Sequence, residues 1–363
     1  MLSRTDADRL PFDNVFLNIV FCLWKPGGML MGARVVHSVS GGRIMQYQTL
    51  GKRGPRVSTI GFGAWAIGGM NWGKTDDTVS KQALQAALDR GVTLIDTADV
   101  YGFGHSETLI AEVLRERGGK GEAVIATKAG NDFYNAEAKD DKGFGPIRQT
   151  YDKDYIIFAA EQSLKRLGVD ALDILQLHSG DLTQLERDDP WEALALLKQQ
   201  GKIRHAGWSI QSFKETEHAH LLDRHKDLLD VIQVRYNLLE REAEKVLFPK
   251  AIAHGIGVIV RIPLLFGLLT GKFTRESRFG EDDHRRMNLS PEKLDELLGR
   301  LDALDPLFAR FPGQTKTQVA LRFCISHPAC HTAIPGAKTE QQVADNCAAS
   351  DWGPLPPEAI PPA

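Results

Sequence analysis

The chain has 363 residues, and its 44 Lys+Arg against 47 Asp+Glu leave a formal net charge of −3. That length suits one large barrel of strands and helices, and the balanced charge offers no basic field for nucleic acid or an anionic membrane. Four scattered cysteines (Cys22, Cys324, Cys330, Cys347) are too few for a disulfide framework and fit a reducing cytosol, so a cytoplasmic location is expected.

In chain order, residues 1–44 come first and look unlike the rest. Their apolar run 15–24 is about half the length needed to span a bilayer, and it follows Asp6, Asp8 and Asp13 where a secretory signal carries a positive leader. A regular pattern begins at Met45. The expected division is therefore a loose extension or start-site artefact over 1–44, a barrel over 45–350 and a Pro-rich tail over 351–363.

From residue 57 onward, short β-branched runs alternate with amphipathic ones. The pattern predicts strands at 57–63, 93–98, 123–128, 172–178, 203–209, 231–236, 257–263 and 331–335, with helices between them that close on Gly91, Gly168, Gly201 and Gly255. Repeated strand–helix units of this number imply a parallel sheet closed into a (β/α)8 TIM barrel. A doubly wound sheet would carry a G-x-G-x-x-G turn after its first strand. The nearest match, Gly102-Phe-Gly104-His-Ser-Glu107, has glutamate where the third glycine belongs.

After the first strand, Gly68-Gly-Met-Asn-Trp-Gly-Lys-Thr75 satisfies the phosphate-loop pattern of nucleotide hydrolases. Asp76 and Asp77 follow at once, where they would repel phosphates, and they serve better as helix caps. In the barrel this segment is a loop on the active face, with Trp65 and Trp72 as walls of a substrate pocket. Long polar loops at 130–154, 179–189 and 264–291 share that face.

Asp96, Tyr101, Lys128 and His178 stand at or just beyond the carboxyl ends of the second, third and fourth strands, so a closed barrel gathers them. A lysine ammonium about 4 Å from a phenol favours the phenolate by roughly 4 kcal/mol at an effective dielectric near 20, about three pK units before desolvation takes some back. Tyr101 is thereby expected to become a usable acid–base near neutral pH, with Asp96 holding the charge of Lys128 and His178 directing a carbonyl oxygen. Such a set suits carbonyl reduction by a hydride-carrying cofactor. Cys324, His327, Cys330 and His331 fall within eight residues, but their spacing fits no standard zinc pattern and no metal is expected.

Asp96-Thr-Ala-Asp-Val-Tyr101-Gly, the strand ends at Lys128 and His178, and Ile334-Pro-Gly-Ala-Lys338, taken in this order, resemble the aldo-keto reductases over residues 45 to 350. The resemblance implies an NADPH-dependent barrel enzyme in which Tyr101 is the general acid–base, Lys128 and Asp96 tune it and His178 orients the carbonyl. It further implies that Ser209 and Gln233 hold the nicotinamide carboxamide, while Ile210 replaces a usual asparagine and Arg261 a frequent tyrosine. The pyrophosphate is expected along Leu264, Gly267 and Lys272, and the adenosine end at Gly336, Lys338, Gln342 and Asn346. Lys338, at the start of the last helix, favours NADP(H) over NAD(H). The implied partner is a small carbonyl or alcohol substrate. The competing expectation is an NADPH-binding regulatory or redox-sensing subunit, like the relatives associated with membrane channels.

Overall fold

The computed structural model describes residues 45–69, 71–73, 75–135, 138–139, 143–144 and 147–362, with 138–139 and 143–144 as backbone alone. The segment 1–44 lies outside the described residues, as does Lys74 of the phosphate-loop-like stretch.

Eight parallel strands form one sheet: β1 (Phe62–Gly63), β2 (Leu94–Asp96), β3 (Val124–Ala129), β4 (Leu172–His178), β5 (Ile203–Ser209), β6 (Val231–Arg235), β7 (Gly257–Arg261) and β8 (Thr332–Ala333), in that spatial order. Parallel bridges Ile60–Ala333 and Gly63–Gly336 join the first strand to the last, with Gly61 N donating to Ala333 O at 2.8 Å, so the sheet closes as the (β/α)8 barrel that was expected.

The first expected strand, 57–63, divides in two. Its start pairs antiparallel as Arg56–Ser58 with Tyr47–Thr49, a hairpin beneath the barrel, and only Phe62–Gly63 enters the barrel ladder. The break follows from Ser58, whose hydroxyl donates to Ile60 O at 2.7 Å and turns the chain between the two pairings. Leu50 and Val57 of this hairpin region then plug the barrel floor.

Period-two alternation divides each strand between two environments. Leu94, Val124, Ala126, Ile174, Val231 and Ile259 point inward and pack with Leu50 and Val57. The alternate set (Ile95, Ile125, Leu175, Ile232, Val258, Val260) faces the helices. These include α1 (Asp77–Asp89), α2 (His105–Glu116), α3 (Lys153–Leu167), α4 (Asp189–Gln199), α5 (Leu247–His254), α6 (Pro291–Asp302), α7 (Lys316–Cys324) and α8 (Glu340–Trp352). Gly168 and Gly255 cap α3 and α5 in the left-handed region, as the sequence suggested. The tail expected after 350 is tied down by arginines: Arg322 donates to the carbonyls of Gly353 and Pro354, and Arg241 to those of Pro361 and Pro362.

Candidate active site

Continuing the inward parity by one step carries each strand from apolar to polar. Leu94 leads to Asp96, Ala126 to Lys128, Ile174 to Gln176 and His178, Val231 to Gln233 and Arg235, and Ile259 to Arg261. The barrel is thus plugged by aliphatic side chains at one end and lined by hydrogen-bonding groups at its carboxyl end, where a cavity of about 910 Å³ opens.

At the floor, the fully buried Lys128 Nζ donates to Asp96 Oδ1 at 2.6 Å and to Thr97 O at 2.7 Å, and lies 3.5 Å from the Tyr101 hydroxyl. Burial alone would strip its proton, but the Asp96 carboxylate and the Tyr101 oxygen outweigh it and hold the ammonium above its ordinary pKa. Tyr101 goes the other way from the expectation. Burial raises the phenol above its ordinary value, more strongly than Lys128 lowers it, and Asp96 raises it further. The physical reason is desolvation of a buried phenol, which the Lys128 ammonium, 2.6 Å from its carboxylate and 3.5 Å from the phenol, offsets only in part. Tyr101 is therefore a protonated donor at neutral pH.

His178 sets its ring edge-on to Tyr101, with centroids 5.8 Å apart. Burial, then the charges of Lys128 and Arg261, push its pKa well below the ordinary value, so it is neutral. Asn131, two residues after the end of β3, donates from Nδ2 to His178 Nδ1 at 3.0 Å, which leaves the proton on Nε2. Asn131 is itself held by Tyr155, whose hydroxyl donates to its carbonyl at 2.8 Å, while Tyr151 donates to the His178 carbonyl at 2.5 Å. Sequence reasoning missed Asn131; its partner lies 47 positions away, and the only signal was an amide two residues after a strand end. It also missed Gln176, whose Nε2 reaches Asp96 Oδ2 at 3.4 Å, and Arg235, which lines the cavity between the rings of Phe213 and Phe266.

Of the named residues, Asp96, Tyr101 and His178 line the cavity, and Lys128 supports it from below. Ser209, Gln233, Arg261, Leu264, Gly267, Lys272, Gly336, Lys338, Gln342 and Asn346 all line the same cavity, as do Trp65 and Trp72. Gln233 has a bond that was not foreseen, donating to Asp96 Oδ2 at 2.6 Å. Trp65 stacks on Tyr101 at 6.0 Å and on His284 at 4.6 Å, while Trp72 meets Trp65 edge-on at 5.3 Å. Lys338 Nζ donates to Trp72 O at 2.6 Å, and the bridge Trp72–Asp283 joins the loop after β1 to the loop after β7.

The phosphate-loop-like stretch does not run into its helix in the manner of a hydrolase. Asp76 caps α1 by accepting from Val79 N at 3.0 Å, which places a carboxylate where a phosphate would bind. The Cys/His run also disperses: Cys324 Sγ faces the Tyr236 carbonyl, His327 Nδ1 accepts from Ala329 N, and His331 Nδ1 accepts from Val258 N. Among the described residues no group of three or more His, Cys, Asp or Glu is gathered as a metal site.

The donor set fits an elongated anionic cofactor. Arg261 carries a buried Nε with no hydrogen-bond partner among the described residues, and Lys272, Arg285 and Lys338 bring positive charge to the distant part of the cavity. Among the described residues no helix is long and apolar enough to cross a membrane.

Comparison with known proteins agrees with this fold. A family model described as the Aldo/keto reductase family matches residues 59–361. The aldo-keto reductase YhdN of Bacillus subtilis (strain 168) is 35% identical over 302 residues, covering 82% of this chain and 87% of that protein. A probable voltage-gated potassium channel subunit beta of Arabidopsis thaliana is 33% identical over 328 residues, covering 86% and 93%. The solved structure of the glycerol dehydrogenase AKR11B4 from Gluconobacter oxydans superposes with a TM-score of 0.72 at 32% identity, covering 86% of this chain and 92% of that one.

Proposed function

Because the chain belongs to the aldo/keto reductase family, we propose that it reduces aldehyde or ketone carbonyls to alcohols, reversibly, with NADP(H) as cofactor and Tyr101 as the proton donor. The observation that carries this reading is Lys128 Nζ placed between Asp96 Oδ1 and the Tyr101 hydroxyl at the floor of the cavity.

Reduction requires a hydride at the carbonyl carbon and a proton at its oxygen. A bound nicotinamide cofactor supplies the hydride. Tyr101, kept protonated by burial, gives its proton to the oxygen as negative charge builds there, and the phenolate left behind faces the Lys128 ammonium. His178, with its proton on Nε2, donates to the same oxygen and fixes the carbonyl's direction. Asp96 keeps Lys128 charged throughout. Ser209, Gln233 and Arg261 would hold the nicotinamide end, Leu264, Gly267 and Lys272 the pyrophosphate, and Gly336, Lys338, Gln342 and Asn346 the adenosine end. The cations Lys272, Arg285 and Lys338 favour the additional phosphate of NADP(H).

Similarity to a channel beta subunit supports a second reading, in which the chain binds NADPH as a sensing subunit with little turnover. Stopped-flow mixing of the NADPH complex with a panel of aldehydes separates the two. Rapid loss of the reduced-cofactor signal, abolished by Tyr101→Phe, is expected for a reductase; no loss with any aldehyde would leave the sensing reading.

A further inference from the structure

Arg261 is delivered to the cavity by the last residue of β7, beside Gln233 and Ser209. Its Nη2 donates to Ile210 O at 2.7 Å and to Ser212 Oγ at 3.0 Å, so the loop directly after β5 fixes the guanidinium in place. Among the described residues no carboxylate lies within ion-pair distance of it, and the nearby Asp96 is already bonded to Lys128. Burial, and then the opposing charge of Arg235, lower its pKa to about 10, which leaves it cationic at neutral pH. Its field reaches the catalytic floor, where it depresses both Tyr101 and His178.

We propose that Arg261 makes this cavity discriminate by cofactor redox state, favouring the uncharged dihydronicotinamide over the cationic oxidised ring, so that the protein loads the reduced cofactor in preference to the oxidised one. The inference rests on the reading of the cavity as a nicotinamide site. In the forward reaction, hydride leaves the neutral ring with two electrons for the carbonyl carbon, the oxygen takes the Tyr101 proton, and the ring is left as a pyridinium. That new positive charge appears within the field of a cation that has no ion-pair partner among the described residues and keeps its proton near pH 7. The oxidised cofactor is thereby held less tightly than the reduced one and leaves more readily. The same cation favours the phenolate that forms on Tyr101, so its help to proton transfer offsets part of its opposition to the positive charge developing on the ring.

The test is equilibrium titration of the full chain with NADPH and with NADP+, read by tryptophan fluorescence, since Trp65 and Trp72 line the cavity. Arg261→Gln keeps a donor for the Ile210 carbonyl, Arg261→Met keeps side-chain volume, and Arg261→Lys keeps the charge, so the outcome does not hang on one variant folding. The wild type is expected to bind NADPH more tightly than NADP+. The ratio of the two dissociation constants should fall by about tenfold or more in the Gln and Met variants and stay within about threefold of wild type in Lys; tenfold corresponds to about 30 mV in the two-electron potential of the bound couple. An unchanged ratio in Gln and Met, including a parallel weakening of both forms, overturns the inference while leaving the reductase reading intact. Failure of the wild type to bind either form overturns both.

Discussion

Two opposed influences meet at the Tyr101 hydroxyl. Burial keeps its proton on, and in the proposed reaction Lys128 at 3.5 Å stabilises the phenolate once the proton has gone. Tyr101→Phe removes the proton without removing the ring that stacks on Trp65, so turnover should fall by about 10²–10⁴-fold with NADPH affinity unchanged, measured as kcat against Kd. Lys128→Met is expected to act on the fold as well. It strands the Asp96 carboxylate at 3% exposure with only amide partners, and should reduce unfolding stability by about 3–5 kcal/mol in denaturant titration. Asn131 acts one step further out, through the tautomer of His178. Asn131→Asp places a carboxylate against Nδ1 and raises the His178 pKa, so a new ionisation should enter the pH profile of kcat/KM between about 5 and 8. A flat profile in that range would show that Asn131 does not govern the His178 proton.

At the scale of elements, the barrel separates the two jobs of its ends, and two close backbone approaches mark them. Gly102, in the loop after β2, has φ +61°, and a Cβ there would lie 2.2 Å from Gly68 O, so the loop carrying Tyr101 rests directly on the turn after β1. Gly51, in the hairpin beneath, has φ +61°, and a Cβ would lie 2.4 Å from both Gly255 O and Gly257 N. Both Gly→Ala changes should lower the melting temperature. Only Gly102→Ala should also lower kcat in the protein that remains folded, because only there does the shifted backbone bear a reacting group. These element positions were largely legible beforehand, since β-branched runs of alternating parity write a strand locally, and Asp96, Lys128 and His178 follow from extending that parity, whereas Tyr101 is carried by the loop after β2. The division of 57–63 was not legible, because it depends on which edge Ser58 turns away from. Nor was the bond from Gln233 to Asp96, which joins residues 137 positions apart, or the raised pKa of Tyr101, which depends on how completely the folded chain buries the phenol.

For the molecule as a whole, acid should destabilise the chain in two stages, and Asp230 leads the lower one, beside Asp181, Asp223 and Asp283, whose carboxyls are also held below their ordinary values. The buried Asp230 carboxylate accepts from Arg53 Nε at 3.0 Å, Lys198 Nζ at 2.5 Å and Ala206 N at 3.0 Å, tying the hairpin turn, α4 and β5 to the entrance of β6. Burial would raise its pKa, but hydrogen bonds from His205, Lys198 and the Ala206 amide outweigh it and hold the carboxyl at about 2. A folded pKa below the ordinary 3.8 means that the unfolded chain takes the proton first. The contribution, about 2 kcal/mol, is therefore complete above about pH 4 and is lost as pH falls through 2. His225, His284 and His331 lead the upper stage, because burial lowers each from 6.5 to about 4, and burial depresses His178, His218 and His327 as well. Neutral in the fold and protonated more readily when unfolded, they contribute fully above about pH 6.5 and progressively less down to 4. Melting temperature should thus decline first between pH 7 and 4 and again between 4 and 2. Asp230→Asn should melt below wild type at pH 7, keep the first decline and show a shallower second one, because Asp181, Asp223 and Asp283 still titrate there, so that the two curves approach each other toward pH 2. Parallel curves across that range would show that the four-way tie at Asp230 is not what acid breaks.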